Sequence, residues 1–263
     1  MIAPEAKAVL VTETVTGAAL LSRNARRRRP VASLTKLMTA LLTLENMEID
    51  AAICVSDRAA SVGEATAYLR AGEILSVREL LSVMLVRSAN DAANALADEI
   101  VFWPDHISAP GKAKSGATQI EKRFANLMNR RAKELGMFDT HYVRSDGLDA
   151  PGHLSSARDS LILARTIMEK PEWRAFAGLL TAELPGGRKF HTTHDLLPQY
   201  GGMVGGKFGY TDEAGYCLSG VARRDGVELY GVVLGCPSRD SRTSDLKAAL
   251  DYGFDKFKGT VIA

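Results

Sequence analysis

The chain has 263 residues, 46% of them hydrophobic and 24% charged, which is enough apolar material for a sizeable core. Its formal net charge of +2 gives no electrostatic reason to bind nucleic acid or a membrane surface. No apolar run approaches the roughly 18 residues that a membrane-crossing helix needs. Met1-Ile2-Ala3-Pro4-Glu5 lacks the basic start and apolar core of a signal peptide, so the chain reads as cytosolic or as a mature or trimmed form.

Residues 8–13 and 18–23 are predicted strands, joined into a hairpin by Thr14-Val15-Thr16-Gly17. Arg26 to Arg29, beside Pro30, form a predicted solvated basic loop. From Leu34 to Met47 apolar residues stand at 34, 37, 38, 41, 42, 44 and 47, with no Gly or Pro between them. A helix apolar on most sides belongs in the middle of a domain. Residues 50–75 are mixed, with Gly63 and Gly72 as punctuation.

Val77 to Val86 is a predicted apolar helix ending at Arg87-Ser88-Ala89-Asn90, and an Ala-rich helix continues from Asp91 to Ile100. Residues 109–116 are a predicted loop, and a helix from Ile120 to Leu135 stops at Gly136. Ser145 to His153 is loop, and Ser156-Ala157-Arg158-Asp159 resembles a capping box that opens a helix to about Lys170. Strands are predicted at 188–194, 203–210, 214–223 and 227–236, the last two joined by the hairpin signal Asp225-Gly226. A final helix runs from about Ser241 to Phe257.

Strands, a long helical middle, strands and a helix make an α+β protein. Its antiparallel sheet is built from the N- and C-terminal segments, with a large helical insertion between them. The expected organisation is a single catalytic domain over 1–263, with a sheet subdomain at about 1–32 and 186–263 and a helical subdomain at about 33–185. The active site is expected in the cleft between the two.

Cys54, Cys217 and Cys236 show no Cys-x-x-Cys spacing and read as free core thiols. His191 and His194 fall in a predicted strand, where their spacing points them to opposite faces. No metal or cofactor is therefore expected.

The chemistry begins at Ser33-Leu34-Thr35-Lys36, which opens the apolar helix. A spacing of three puts the hydroxyl and the amine on one helical face. A buried ammonium is costly and tends to lose its proton, and a neutral amine beside a hydroxyl is a base beside a nucleophile. A second Ser-x-x-Lys, Ser244-Asp245-Leu246-Lys247, lies on the predicted C-terminal helix and is assigned to solvent.

Ser33-Leu34-Thr35-Lys36, Ser88-Ala89-Asn90 and Lys207-Phe208-Gly209 follow one another on a helix start, an interhelical loop and a strand. This ordered set resembles the Ser-x-x-Lys, Ser-x-Asn and Lys-Thr-Gly motifs of the β-lactamase/transpeptidase-like superfamily. The specific likeness is to low-molecular-mass penicillin-binding proteins that are serine-type D-alanyl-D-alanine carboxypeptidases. Arg29-Pro30-Val31-Ala32-Ser33, the run Ser88 to Ala97, Gly147-Leu148-Asp149-Ala150-Pro151-Gly152, Gly209-Tyr210-Thr211 and Ala214-Gly215-Tyr216 extend the resemblance over nearly the whole chain.

The resemblance implies that Ser33 is acylated and that Lys36, crowded by Lys207 and partly desolvated, takes the hydroxyl proton. It implies that Ser88 relays a proton to the leaving amine and that Asn90 holds the substrate peptide group. The N–H groups of Ser33 and Tyr210 would form the oxyanion hole. Gly209 would leave room for substrate along the strand edge, while Lys207 and Arg242 would face the terminal carboxylate of the substrate. Phe208 stands where the family usually carries threonine, and Asp146 stands where histidine is common; Asp146 is assigned to turn chemistry and left out of the site.

The implied substrate is a peptidoglycan stem peptide ending in D-Ala-D-Ala, with β-lactams as covalent inhibitors, no nucleic acid partner and an extracytoplasmic home. A small β-rich domain and a membrane anchor, which many relatives carry, are not visible in this sequence. The alternatives are a serine β-lactamase, against which stands the lack of a Glu-x-x-Leu-Asn pattern after Asn90, and a cell-wall-peptide-binding module weakened by Phe208.

Overall fold

In the computed structural model the described residues are 1–102 and 117–261. Strands β1 (Ala8–Glu13) and β2 (Ala19–Arg23) pair antiparallel as the expected hairpin. A 3-10 turn over Ala32–Thr35 leads straight into α1 (Lys36–Asn46), so the apolar run starts with one tight turn and only then becomes α-helical. The mixed stretch resolves into β3 (Ala52–Cys54), α2 (Asp57–Ala60) and β4 (Ile74–Ser76). Helix α3 (Val77–Val86) begins with a reciprocal capping box between Ser76 and Glu79.

Helices α4 (Asn90–Phe102), α5 (Ala117–Glu134) and α6 (Ala157–Met168) follow, and the loop expected at 109–116 lies outside the described residues. Only half of the expected box forms at α6. Ser156 Oγ accepts from Asp159 N at 3.1 Å, but the Asp159 carboxylate turns away to accept from Asp139 N and Thr140 Oγ1. After α7 (Pro171–Phe176), strands β5 (Thr181–Leu184) and β6 (Arg188–His191) make a hairpin of their own. The strand expected over 188–194 therefore ends at His191, and His194 is buried beyond it. The chain closes with β7 (Met203–Thr211), β8 (Gly215–Arg224), β9 (Val227–Cys236) and α8 (Arg239–Val261).

The five-stranded sheet has the order β2-β1-β9-β8-β7, antiparallel throughout. Its first and last segments meet where β1 pairs with β9, and β7 is left at an edge. Both faces are covered, which is why β1 is buried along its whole length. Successive side chains of a strand point to opposite faces. Ala8 and Leu10 accordingly join the core with Leu37, Met38 and Leu41 of α1, while Val9 and Val11 join Leu246, Leu250 and Phe254 of α8. Met38 and Leu41 are fully buried, and burial of each such side chain contributes about 1.5–3 kcal/mol. The β8–β9 turn places Asp225 and Gly226 both at positive φ, as the hairpin signal requires.

Candidate active site

Helix α1 is apolar on three sides, and its fourth side is a buried polar stripe. Thr35, Lys36 and Thr39 fall at the i, i+3 and i+4 spacings of a single helical face. All three hold the loop that precedes α6. Thr39 Oγ1 donates to Ser145 O at 2.6 Å, and Lys36 Nζ donates to Asp146 O at 2.5 Å. Thr35 Oγ1 meets His153 Nε2 at 2.8 Å. His153 Nδ1 accepts from Val143 N at 3.0 Å, so the proton sits on Nε2 and the ring is neutral, with burial pushing its pKa down to about 4.

Lys36 is 1% exposed, and its Nζ also lies 2.8 Å from Ser33 Oγ and 2.8 Å from Asn90 Oδ1. Burial pushes the Lys36 pKa down to about 8, against the opposing pull of the Asp146, Asp91 and Glu64 carboxylates. Desolvation, rather than crowding by Lys207, is thus the main cause. At that value a useful fraction of the amine is neutral near physiological pH, in contact with a hydroxyl.

Opposite this pair stands β7. Lys207, 1% exposed, donates to Ser88 Oγ at 2.7 Å and to Phe208 O at 2.8 Å. Burial, Lys36 and Arg242 hold its pKa well below the ordinary lysine range. Ser88 is buried and adopts φ 61°, and Ala32, just before Ser33, adopts φ 48°. Such left-handed conformations cost non-glycine residues about 1–2 kcal/mol each, a strain that the surrounding packing maintains.

Glycine at 209 has a packing reason of its own. A Cβ there would lie 2.7 Å from Ser33 N and 3.0 Å from Ala32 Cβ, so the strand packs on the turn that carries the hydroxyl. Gly147, at φ +84°, is as tightly placed, since its Cβ would fall 2.2 Å from Ala32 O. Strand and loop together clamp the Ser33 turn from two directions.

The structure brings Ser33, Lys36, Ser88, Asn90, Lys207 and Gly209 into one cluster. Tyr210 is half-exposed on β7, its ring stacked on Tyr216 at 4.3 Å and its hydroxyl donating to Asp212 Oδ1. Arg242 is 3% exposed, donates through Nη2 to Thr193 O at 3.1 Å and lies 3.7 Å from Asp195, so it is no solvated helix arginine. The Phe208 ring, packed against the core that includes Leu246 and Leu250 of α8, has its centroid 4.1 Å from Lys207 Nζ and 5.4 Å from Arg242 Cζ. The second Ser-x-x-Lys is solvated as expected: Ser244 Oγ donates to Ser241 O, and Lys247 pairs with Asp251 one turn on. Cys217 and Cys236 are buried free thiols, whereas Cys54 is only partly covered. In the basic run, Arg26 pairs with Asp139 and Arg27 and Arg28 are exposed, but Arg29 is half-buried against Gly235.

Asp146 makes the turn contact that the sequence reading gave it, through Leu148 N, and does more besides. It is 1% exposed, and its carboxylate accepts from Arg144 Nε and Nη2, from Asn94 Nδ2 and from Leu148 N. Arg144, Lys36 and the Leu148 N–H hold its pKa well below the usual carboxylate range despite burial. Its backbone carbonyl fixes Lys36 Nζ, and its charge favours the ammonium. The only hint in the sequence was an Arg two residues before the Asp, together with Asn94 one helical turn beyond Asn90.

These features carry a pH prediction. If Asp146→Asn removes the negative charge and frees the Arg144 guanidinium, both changes destabilise the Lys36 ammonium and lower its pKa. The pH at which acylation of Ser33 reaches half its plateau should move from about 8 to lower pH, as a stopped-flow pH profile would register. An unmoved or rising midpoint would contradict the assignment.

The sheet, the helical layer and the clamped serine turn define the class of penicillin-binding and β-lactamase-like proteins. The chain belongs to the D-alanyl-D-alanine carboxypeptidase family, whose model matches residues 3–238. It is 32% identical over 266 residues to the D-alanyl-D-alanine carboxypeptidase DacF of Bacillus subtilis, covering 98% of this chain and 64% of that protein. It is 32% identical over 254 residues to the D-alanyl-D-alanine carboxypeptidase of Streptomyces sp. strain K15, covering 91% of this chain and 84% of that one. Among solved structures, the Streptomyces K15 DD-transpeptidase superposes with a TM-score of 0.84 at 30% identity, over 95% of this chain and 97% of that one. Penicillin-binding protein D2 of Listeria monocytogenes, in its ampicillin-bound form, gives a TM-score of 0.79 at 32% identity, over 95% and 98%. This chain thus spans about two-thirds of the Bacillus relative and most of the Streptomyces one.

Proposed function

We propose that this chain is a serine-type D-alanyl-D-alanine carboxypeptidase that removes the terminal D-alanine of peptidoglycan stem peptides through an acyl-Ser33 intermediate. The observation that carries the reading is the 2.8 Å contact between Ser33 Oγ and the buried, pKa-lowered Lys36 amine. Neutral Lys36 takes the hydroxyl proton as Ser33 Oγ bonds to the carbonyl carbon of the penultimate D-alanine. The N–H groups of Ser33 and Tyr210 receive the negative charge that develops on the carbonyl oxygen. As the C–N bond breaks, the leaving amine takes a proton from Ser88 Oγ, which Lys207 Nζ contacts at 2.7 Å, and the proton held by Lys36 passes to Ser88, which leaves Lys36 neutral again. Water then attacks the ester, neutral Lys36 takes its proton and returns it to Ser33 Oγ as the ester C–O bond breaks, and the free serine and the shortened peptide are released.

Asn90 has two tasks in this scheme. Its Oδ1 fixes Lys36, and its Nδ2, which donates to Gly63 O at 3.2 Å, faces the 63–69 loop. That loop is held by Asp91, whose buried carboxylate accepts from Ala67 N and Leu69 N. We assign 1–263 to a single catalytic domain with the subdomain division given above. Because its substrate is the cell wall, the protein is assigned to the extracytoplasmic side. No helix among the described residues is long and apolar enough to cross a membrane.

The direct test is intact-mass spectrometry after benzylpenicillin treatment, joined to an assay of D-alanine release from a diacyl-D-Ala-D-Ala peptide. A penicilloyl adduct on the protein, absent from Ser33→Ala, with D-alanine release by the unmodified chain is expected. Rapid β-lactam turnover without an accumulating adduct would favour the β-lactamase alternative. An adduct without D-alanine release would favour a binding module.

A further inference from the structure

Phe208 has no hydroxyl to offer, and its ring changes what its neighbours can offer. Lys207 Nζ is already committed to Ser88 Oγ and Phe208 O, and its remaining side faces the Phe208 ring at 4.1 Å. Arg242 also lies over the ring, 5.4 Å from its centroid, and is 3% exposed. Its Nη2 is spent on Thr193 O, close to Asp195, and its buried Nε has no hydrogen-bond partner among the described residues. Both cations lie against the Phe208 ring, so a carboxylate reaching either of them from that side would meet the ring. It would also gain nothing from the negative face of an aromatic π-system, which attracts cations rather than anions.

We propose that Phe208 turns the leaving-group side of the cleft from an anion site into an aromatic, uncharged one. D-alanyl substrates whose leaving amine carries an amidated or extended carboxyl group then react at least as fast as the free acid. The proposal rests on the carboxypeptidase reading above and specifies its substrate class. Burial and two neighbouring cations also make Lys207 a poor counter-ion, which favours neutral leaving groups further. The bonds made and broken are unchanged: the leaving amine departs with its proton whether the group beside it is a carboxylate, a carboxamide or a further peptide unit.

The test compares kcat/KM for a diacyl-D-Ala-D-Ala peptide with that for its C-terminal carboxamide, in the unmodified chain, Phe208→Thr and Phe208→Leu. The expected acid-to-amide ratio is about one or below in the unmodified chain and in Phe208→Leu. In Phe208→Thr it should rise by about 10- to 100-fold, mainly through KM, as a new hydrogen bond to a charged group allows. Acylation by benzylpenicillin against its methyl ester, followed by mass spectrometry, gives the same comparison on the unmodified chain alone. An acid preference above about tenfold in that chain, or a ratio that Phe208→Thr leaves in place, would overturn the proposal, while an adduct on Ser33 together with D-alanine release kept the carboxypeptidase reading standing. Absence of an adduct with either penicillin would remove both.

Discussion

Replacing Lys36 by methionine is expected to slow acylation of Ser33 by about 10²–10⁴-fold, the range that a positioned general base supplies. The substitution removes the one amine in contact with Ser33 Oγ and leaves the apolar stem of the side chain in place. Stability should change much less than activity. The cost of burying an ammonium disappears, while Asn90 Oδ1 and Asp146 O lose a donor, and these effects oppose each other. Stopped-flow acylation and thermal unfolding of the same variant separate the two. A variant that acylates at an unchanged rate would end the claim that Lys36 is the base.

The second large effect is expected at Gly147, which carries no side chain of its own. Alanine there adds a Cβ 2.2 Å from Ala32 O and 2.9 Å from Thr35 Cβ, at a φ of +84° that disfavours a side chain. Overpacking and the left-handed backbone together should cost about 2–4 kcal/mol. The shift of the Ser33 turn should reduce acylation by about 10²-fold, since displacement of a reacting group by about 1 Å has that consequence. Gly72→Ala is the matched comparison, with φ +79° and open space around the added atom. It should lose only about 1 kcal/mol and keep its acylation rate. Equal losses in the two variants, read by denaturant unfolding, would show that the clamp on the serine turn has no special weight.

Much of the fold was legible because its signals are local and periodic. The continuous apolar runs of β1 and β9, the Asp225-Gly226 turn and the unbroken apolar pattern of α1 follow from residues within a few positions of one another. The motif residues Ser33, Lys36, Ser88, Asn90 and Lys207 were legible as an ordered set, and the structure places them together. What escaped is what depends on distant partners. The fate of Asp159 was decided by Asp139 and Thr140 rather than by its own helix. Asp146 looked like a turn residue because its partners Lys36, Asn94 and Arg144 converge on it only after folding. The need for glycine at 209 likewise comes from a backbone more than 170 positions away in the chain. That the 193–195 segment covers Arg242 is also a contact its own helix does not announce.

The edge position of β7 against the Ser33 turn has a consequence for biogenesis. The hydroxyl and its amine are translated within the first 40 residues, but the strand that completes their surroundings is β7, and β1 finds its second neighbour only in β9. Such distant pairings close late and slowly, because the entropy of the intervening chain is lost before their contacts reward it. In a nascent polypeptide Ser33 and Lys36 therefore stand without their strand neighbour until the N- and C-terminal segments of the sheet pair through β1 and β9.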